Sequence, residues 1–138
     1  MGWVTGAPLL IDLVNRLRGA FNVSVSGQKA ALAALGDPAF VAASREHNTA
    51  ERTRLAEAIA ALGNHGVTAT PGEANFLLVH LDGAVTAVQA LDALAEVGYA
   101  VRHLPGQGLP NALRITIGTS NDMTRVIACL RTLCGETA

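Results

Sequence analysis

The run Phe76-Leu77-Leu78-Val79, continued by Leu81, is apolar at positions that fall on both faces of a strand. Successive side chains of a strand point to opposite faces, so a run with no polar face belongs inside a sheet rather than at its edge. The chain must therefore place strands on either side of residues 75–81 and cover them with helices. The surrounding sequence offers both. Val67–Thr70 and Tyr99–Arg102 read as further strands, and Leu113–Ile117 as a fourth. Val85, Val88, Leu91, Leu94 and Val97 form a helical stripe that ends at Gly98. Thr119 and Asp122 have the spacing of a capping pair, opening a last helix that carries Met123, Val126, Ile127, Leu130 and Leu133.

The first half of the chain is helical. Pro8 suits the first turn of a helix whose Leu9, Leu10, Leu13, Val14 and Leu17 recur at three-to-four spacing until Gly19. Phe21–Ser26 alternates briefly as a linker, and Gly27–Leu35 reads as an Ala-rich helix closed by Gly36. Asp37 as cap and Pro38 in the first turn then open a long helix that can run to Leu62. Its middle, Ser44–Arg54, is strongly polar, so this helix is expected to pack at its ends and bridge between them. The fold class is thus α/β in the α+β sense: N-terminal helices leading into a small three- to four-stranded sheet packed by helices.

At 138 residues with half of them hydrophobic, the chain is sized for one domain with a real core. Ten basic residues against eleven acidic ones leave no net field, which disfavours nucleic acid and anionic membranes as partners. No run is apolar enough to span a bilayer or to act as a leader, so a cytoplasmic protein is expected. Cys129 and Cys134 match neither a metal site nor a disulfide framework and read as reduced packing residues. Nine of the ten basic residues are arginine, so Lys29 is the only amine side chain available to chemistry.

Against that apolar background, Arg114 stands out. Leu113, Ile115 and Ile117 share one face of their strand, which turns Arg114 and Thr116 to the other. A guanidinium is always charged and presents a planar fork of donors that fits a carboxylate or phosphate. The alternative is a strand arginine reaching to solvent or pairing with a structural carboxylate. Gly106-Gln107-Gly108, between two strands, lacks the helix that a dinucleotide fingerprint needs. Its expected role is a tight turn beside Arg114, stiffened by Pro105 and Pro110 and holding the arginine ready. Arg102 alternates away from Tyr99 and Val101 and would neighbour Arg114 if the two strands pair; otherwise it is a surface arginine. Asn75 opens the central strand after Pro71-Gly72-Glu73, as a turn-ending residue bonded to backbone or as part of a site. His47, His65, His80 and His103 are scattered, so no metal site is expected. No serine sits in a nucleophile elbow.

Four segments in order, Trp3–Gly6, Arg18–Val23, Ala74–Val79 and Gly106–Thr119, resemble the C-terminal part of histidinol-phosphate aminotransferases. These are fold-type I pyridoxal-phosphate enzymes of the class I/II aminotransferases. The resemblance implies amino transfer between glutamate and imidazole acetol phosphate in histidine biosynthesis. It divides the chain into residues 1–36, a remnant of the cofactor domain with linker helices, and residues 37–138, the C-terminal small domain. Arg114 matches the family arginine that binds the acidic end of the substrate. The family's cofactor is pyridoxal 5'-phosphate, and its full-length members are homodimers. The Schiff-base lysine would precede Met1, and Lys29 lacks its Ser-Lys context. No catalytic or cofactor-binding residue is therefore assigned, no covalent cofactor is expected, and the chain alone is expected to be inactive. Ala20 stands for a usual proline, and Ser26-Gly27 for a usual Pro-Ala. A separately encoded N-terminal cofactor domain is one implied partner. The alternatives are an aromatic aminotransferase or threonine-phosphate decarboxylase fragment, and a noncatalytic ligand- or partner-binding module.

Overall fold

The computed structural model describes residue 2, residues 4–19 and residues 22–136. Trp3, Ala20 and Phe21, which carry part of the resemblance, lie outside the described residues. The chain forms two compact units, Met1–Ala43 and Ser44–Ala138.

The first unit holds α1 (Pro8–Leu17), α2 (Val25–Leu35) and the start of α3 (Pro38–Ala61). Pro8 occupies the first turn of α1 as the sequence indicates, where its missing N–H costs nothing. Leu9, Leu10, Leu13, Val14 and Leu17 are all exposed. Helix α2 begins at Val25 rather than Gly27, because the Ser24 hydroxyl accepts from the Gly27 N–H at 3.1 Å and caps the first turn. Asp37 caps α3 in the same way, accepting from the Phe40 N–H at 3.0 Å.

In the second unit, β1 (Val67–Thr70), β2 (Phe76–Leu81), β3 (Arg102–Leu104) and β4 (Leu109–Thr116) form one sheet in the order β1-β2-β4-β3. Every neighbouring pair is antiparallel. The connection from β2 through α4 (Ala87–Glu96) leads to β3, and β4 inserts between them, a split βαβ arrangement. The final helix is α5 (Ser120–Leu133). Leu77, Val79, Leu81, Leu113 and Ile115 point into a core completed by Leu55, Ile59 and Leu62, by Ala90 and Leu94 of α4, and by Met123, Val126 and Leu130 of α5.

Strand β2 is interior, as its apolar run requires, yet its two faces differ. Leu77, Val79 and Leu81 are buried, whereas Phe76, Leu78 and His80 are only half-buried. The helices of this unit cover one face of the sheet, and Arg114 stands on the other. Two strands start elsewhere than the pattern suggests. Tyr99 is not in β3: its N–H donates to Leu94 O at 2.8 Å after Gly98 turns at φ 91°, and its hydroxyl donates to Asp122 at 3.2 Å. Closing α4 and bracing α5 takes the aromatic residue out of the sheet. Strand β4 runs from Leu109 rather than Leu113 and ends at Thr116. A register shift at His103/Leu104 admits Pro110, which has no N–H to give the ladder.

The polar middle of α3 is no solvent-crossing bridge. Glu51 and Arg52 are buried. Glu51 accepts from the Ser120 hydroxyl at 2.6 Å, and Arg54 donates to Ser120 O at 2.7 Å and to Thr124 at 3.0 Å. A turn earlier, His47 is bonded to Gly118 O at 2.9 Å. On the adjacent stripe Asn48 and Arg52 both donate to Ala74 O, and Arg52 pairs with Glu73 at 2.8 Å. The three-to-four spacing of a helix puts these side chains in two rows. One row holds the segment that leads into β2, and the other holds the segment that leaves β4.

Candidate functional site

Those two rows locate the sheet position where Arg114 stands. Strand register sets Arg114 directly opposite Leu78 on β2 and Arg102 on β3, while Thr116 opposes Phe76. Residues directly opposite on neighbouring strands share a face, with Cβ atoms about 5 Å apart. Arg102 and Arg114 are therefore cross-strand neighbours, as their alternation allows. Two like charges in that relation destabilise a sheet unless something anionic lies between them.

No carboxylate among the described residues pairs with Arg114. Among the described residues it forms no ion pair and no side-chain hydrogen bond, and its Nε is closed off from solvent without an acceptor. A buried donor left unpaired costs about 1–3 kcal/mol, more when the group is charged. The remaining contact is aromatic: the guanidinium carbon lies 5.2 Å from the centroid of the Phe76 ring. A half-buried, unpaired guanidinium facing a second arginine has the electrostatics of an anion site.

The other candidates fall elsewhere. Asn75 is exposed; its carbonyl accepts from the Ile117 N–H at 2.9 Å, and its side chain bonds to nothing among the described residues. No hydrogen bond joins it to Arg114 among the described residues. Pro105–Gln107 forms a short 3-10 turn, and Gly108 follows at φ 75°, a backbone shape glycine adopts without strain. This turn closes the β3–β4 hairpin at Leu104–Leu109, five residues from Arg114 and so roughly 17 Å along the strand. It does not flank the arginine as the sequence led one to expect. By closing the hairpin it sets which residue of β3 meets Arg114.

The histidines are occupied separately: His80 with Thr70 at 2.8 Å, His103 with Pro110 O at 2.6 Å, and His65 beside Glu136 at 3.4 Å. No group of three metal-ligating side chains exists among the described residues. Cys129 and Cys134 are free and half-buried, and burial raises both thiols above their ordinary value. They pack, and are poor nucleophiles.

Two carboxylates support the frame of the site. Glu51 is held below its usual range by the hydrogen bond from Ser120 and then by Arg54. Asp122 is held low by the side chain and backbone N–H of Thr119, with Tyr99 adding a further bond. Thr119 and Asp122 complete the capping box that their spacing predicts. An added Cβ at Gly118 would come within 3.1 Å of the Asp122 side chain, so this residue lets the chain pass closely from β4 into α5.

The Phe76 contact and the α3 anchors were not identified from sequence. Phe76 passes for one more apolar position in a central strand, and only the β2–β4 register puts its ring diagonal to Arg114. The anchors had a faint signal, polar residues at 47, 51 and 54 and at 48 and 52, which is also the pattern of a solvated face.

Comparison with known proteins bears on this site. A family model described as "Aminotransferase class I and II" matches residues 1–130. The chain is 60% identical over 126 residues to a histidinol-phosphate aminotransferase of Erythrobacter litoralis, covering 91% of this chain and 34% of that relative. It is 46% identical to the enzyme of the same name from Zymomonas mobilis, covering 96% of this chain and 36% of that relative. The fold is also that of part of the histidinol-phosphate aminotransferase of Sinorhizobium meliloti, solved with pyridoxal-5'-phosphate. That match has a TM-score of 0.71 at 24% identity and covers 93% of this chain and 34% of that one. The chain spans about a third of the length of the curated relatives it matches.

Proposed function

The chain belongs to the aminotransferase class I and II family, and from that premise we propose that it is the substrate-gripping small domain of a histidinol-phosphate aminotransferase. Its residues 1–36 are then cofactor-domain and linker helices, and residues 37–138 the small domain. The reaction is amino transfer between glutamate and imidazole acetol phosphate, a cytoplasmic step of histidine biosynthesis. Arg114 holds the anionic end of either substrate, and Arg102, opposite it, adds a second positive charge. The observation that carries this reading is the unpaired, half-buried guanidinium of Arg114 set against another arginine.

Pyridoxal phosphate supplies this family with an electron sink for the migrating amino group. The described residues do not fit a site for it. Lys29 is exposed on α2 and has no hydrogen bond or ion pair among the described residues. No step is therefore assigned to a cofactor on this chain, and we propose that the chain alone is inactive. Its own contribution is binding: an end-on guanidinium fork orients an acid group, and the pair of arginines favours a doubly charged phosphate over a single carboxylate. A cofactor domain supplied by another chain, in a homodimeric assembly such as the family's, would complete the enzyme. The exposed leucine stripe of α1 is the kind of surface such a partner covers.

Calorimetric titration of the chain with inorganic phosphate and with glutamate tests the reading. Saturable binding of phosphate is expected, weakened about tenfold or more in Arg114→Ala, the loss typical of a charge-assisted bond. Equal affinity of the wild-type and Arg114→Ala chains would reject the role of Arg114.

A further inference from the structure

Strand register leaves the aromatic ring beside Arg114 unexplained by packing alone. Phe76 is the first residue of β2, and on its strand it is diagonal to Arg114 rather than opposite. Its ring is only half-buried and belongs to the sheet face that the helices of its unit leave uncovered. Yet the Arg114 guanidinium carbon lies 5.2 Å from its centroid, within the range of cation–π attraction.

The hydrogen-bonding state of Arg114 says what that contact does. A guanidinium can grip an anion along its side, through Nε and one terminal nitrogen, or at its end, through both terminal nitrogens. The side edge is closed, because Nε has no access to solvent and no acceptor. The terminal nitrogens also make no hydrogen bond among the described residues, but they are not sealed from solvent. Among the described residues no carboxylate pairs with this group, and the Phe76 ring is the aromatic surface it lies over.

We propose that Phe76 is a positioning residue that fixes the plane of the Arg114 guanidinium, closing its side edge and presenting its two terminal nitrogens as an end-on fork. This rests on the reading of Arg114 as the anion-binding residue. The anchoring of Ala74 O by Asn48 and Arg52 gives Phe76 a firm base, since it fixes the backbone two residues before the ring. An arginine on a flexible stem loses much of its entropy when it binds. An arginine already stacked has lost part of it beforehand and binds more tightly for the same contacts.

The test follows the Arg114 Nε–H signal by nuclear magnetic resonance in the whole 138-residue chain, first without ligand and then in a titration with inorganic phosphate. In the wild-type chain the signal should be ordered and shifted upfield by the ring. Phe76→Leu, which keeps the apolar bulk and removes the ring face, should erase that shift and order and weaken phosphate binding about fivefold. Phe76→Tyr, which restores a ring, should recover both within about twofold. An Nε–H signal in the wild-type chain that is mobile and unshifted overturns the proposal without recourse to any variant. So does Phe76→Leu that remains folded and binds phosphate as the wild type does. If the wild-type Nε–H is ordered and ring-shifted but phosphate does not bind, the anion-site reading fails while the positioning role stands on the ligand-free spectrum.

Discussion

Arg114 is a residue that makes poor sense as a contributor to stability. It forgoes hydrogen bonds at Nε, opposes Arg102 across the β3–β4 pair, and has a single aromatic contact to offset both. Positions selected for binding are commonly strained in this way. Replacing the side chain should therefore cost the fold little while abolishing the site. Arg114→Leu is expected to melt at the wild-type temperature or up to about 4 °C higher, the shift that ~1 kcal/mol brings in a unit of this size. A fall of more than that on thermal denaturation would identify the arginine as a structural residue. Charge alone is not enough for the site. Arg114→Lys keeps the charge but not the planar fork, so phosphate affinity measured by calorimetry should still drop several-fold. Arg102→Ala, which removes an exposed charge on a three-residue edge strand, should weaken phosphate binding less than Arg114→Ala does.

At the scale of elements, the polar rows of α3 hold the ends of β2 and β4 in place, and their strength depends on pH. Glu51 and Asp122 both have folded-state values below the ordinary carboxylate range. Their contribution is therefore fully present above the ordinary carboxylate values and is lost as pH falls through the lowered ones. Urea midpoints should be flat from neutral pH down to about pH 5 and decline below about pH 4. Glu51→Gln should lower the midpoint at neutral pH and flatten the acid decline; an unchanged acid limb would mean Glu51 takes no part in it. The β1–β2 end offers a steric counterpart. Gly66 turns at φ 75°, and a Cβ on Gly83 would lie 1.8 Å from His65 O, so Gly83→Ala should cost about 2 kcal/mol or more in the same assay.

Much of this architecture was legible because it depends on local rules. The cap at Asp37, the Thr119–Asp122 box and the bounds of β1 follow from neighbouring residues only. What was missed depends on distant partners. Tyr99 leaves its strand for Leu94 and Asp122, and β4 begins early because a bulge accommodates Pro110. Glu51 and Arg52 look solvated until Ser120 and Glu73 are brought to them. At the site, alternation was enough to place Arg114 away from the core, whereas Arg102 comes beside it only through the pairing of β3 with β4. The roles of Phe76 and of the Gly106–Gly108 turn needed the register, which a one-residue slip would have inverted.

On the scale of the whole molecule, Arg114 is the proposed anion-binding residue, whereas Lys29, the only lysine of the sequence, is exposed. A lysine that forms a Schiff base at neutral pH needs its pKa depressed by desolvation or a neighbouring cation. Lys29 stands exposed on α2, near the serine-capped start of an Ala-rich helix. The chain mixed with pyridoxal phosphate and reduced with borohydride should therefore carry no stoichiometric label on Lys29 by peptide mass spectrometry. Such a label would overturn the assignment of cofactor chemistry to another polypeptide segment. The complementary experiment adds the remainder of the Erythrobacter litoralis relative, which shares 60% identity over the matched region. Transamination of glutamate should appear only in the mixture. With Arg114→Ala the mixture should keep its cofactor absorbance and lose kcat/KM by about a hundredfold, as expected when one charge-assisted contact of ~2.7 kcal/mol is removed from the transition state. A mixture that turns over equally well with either chain would place the substrate's anionic end elsewhere. The family membership would stand, and the role given to Arg114 would not.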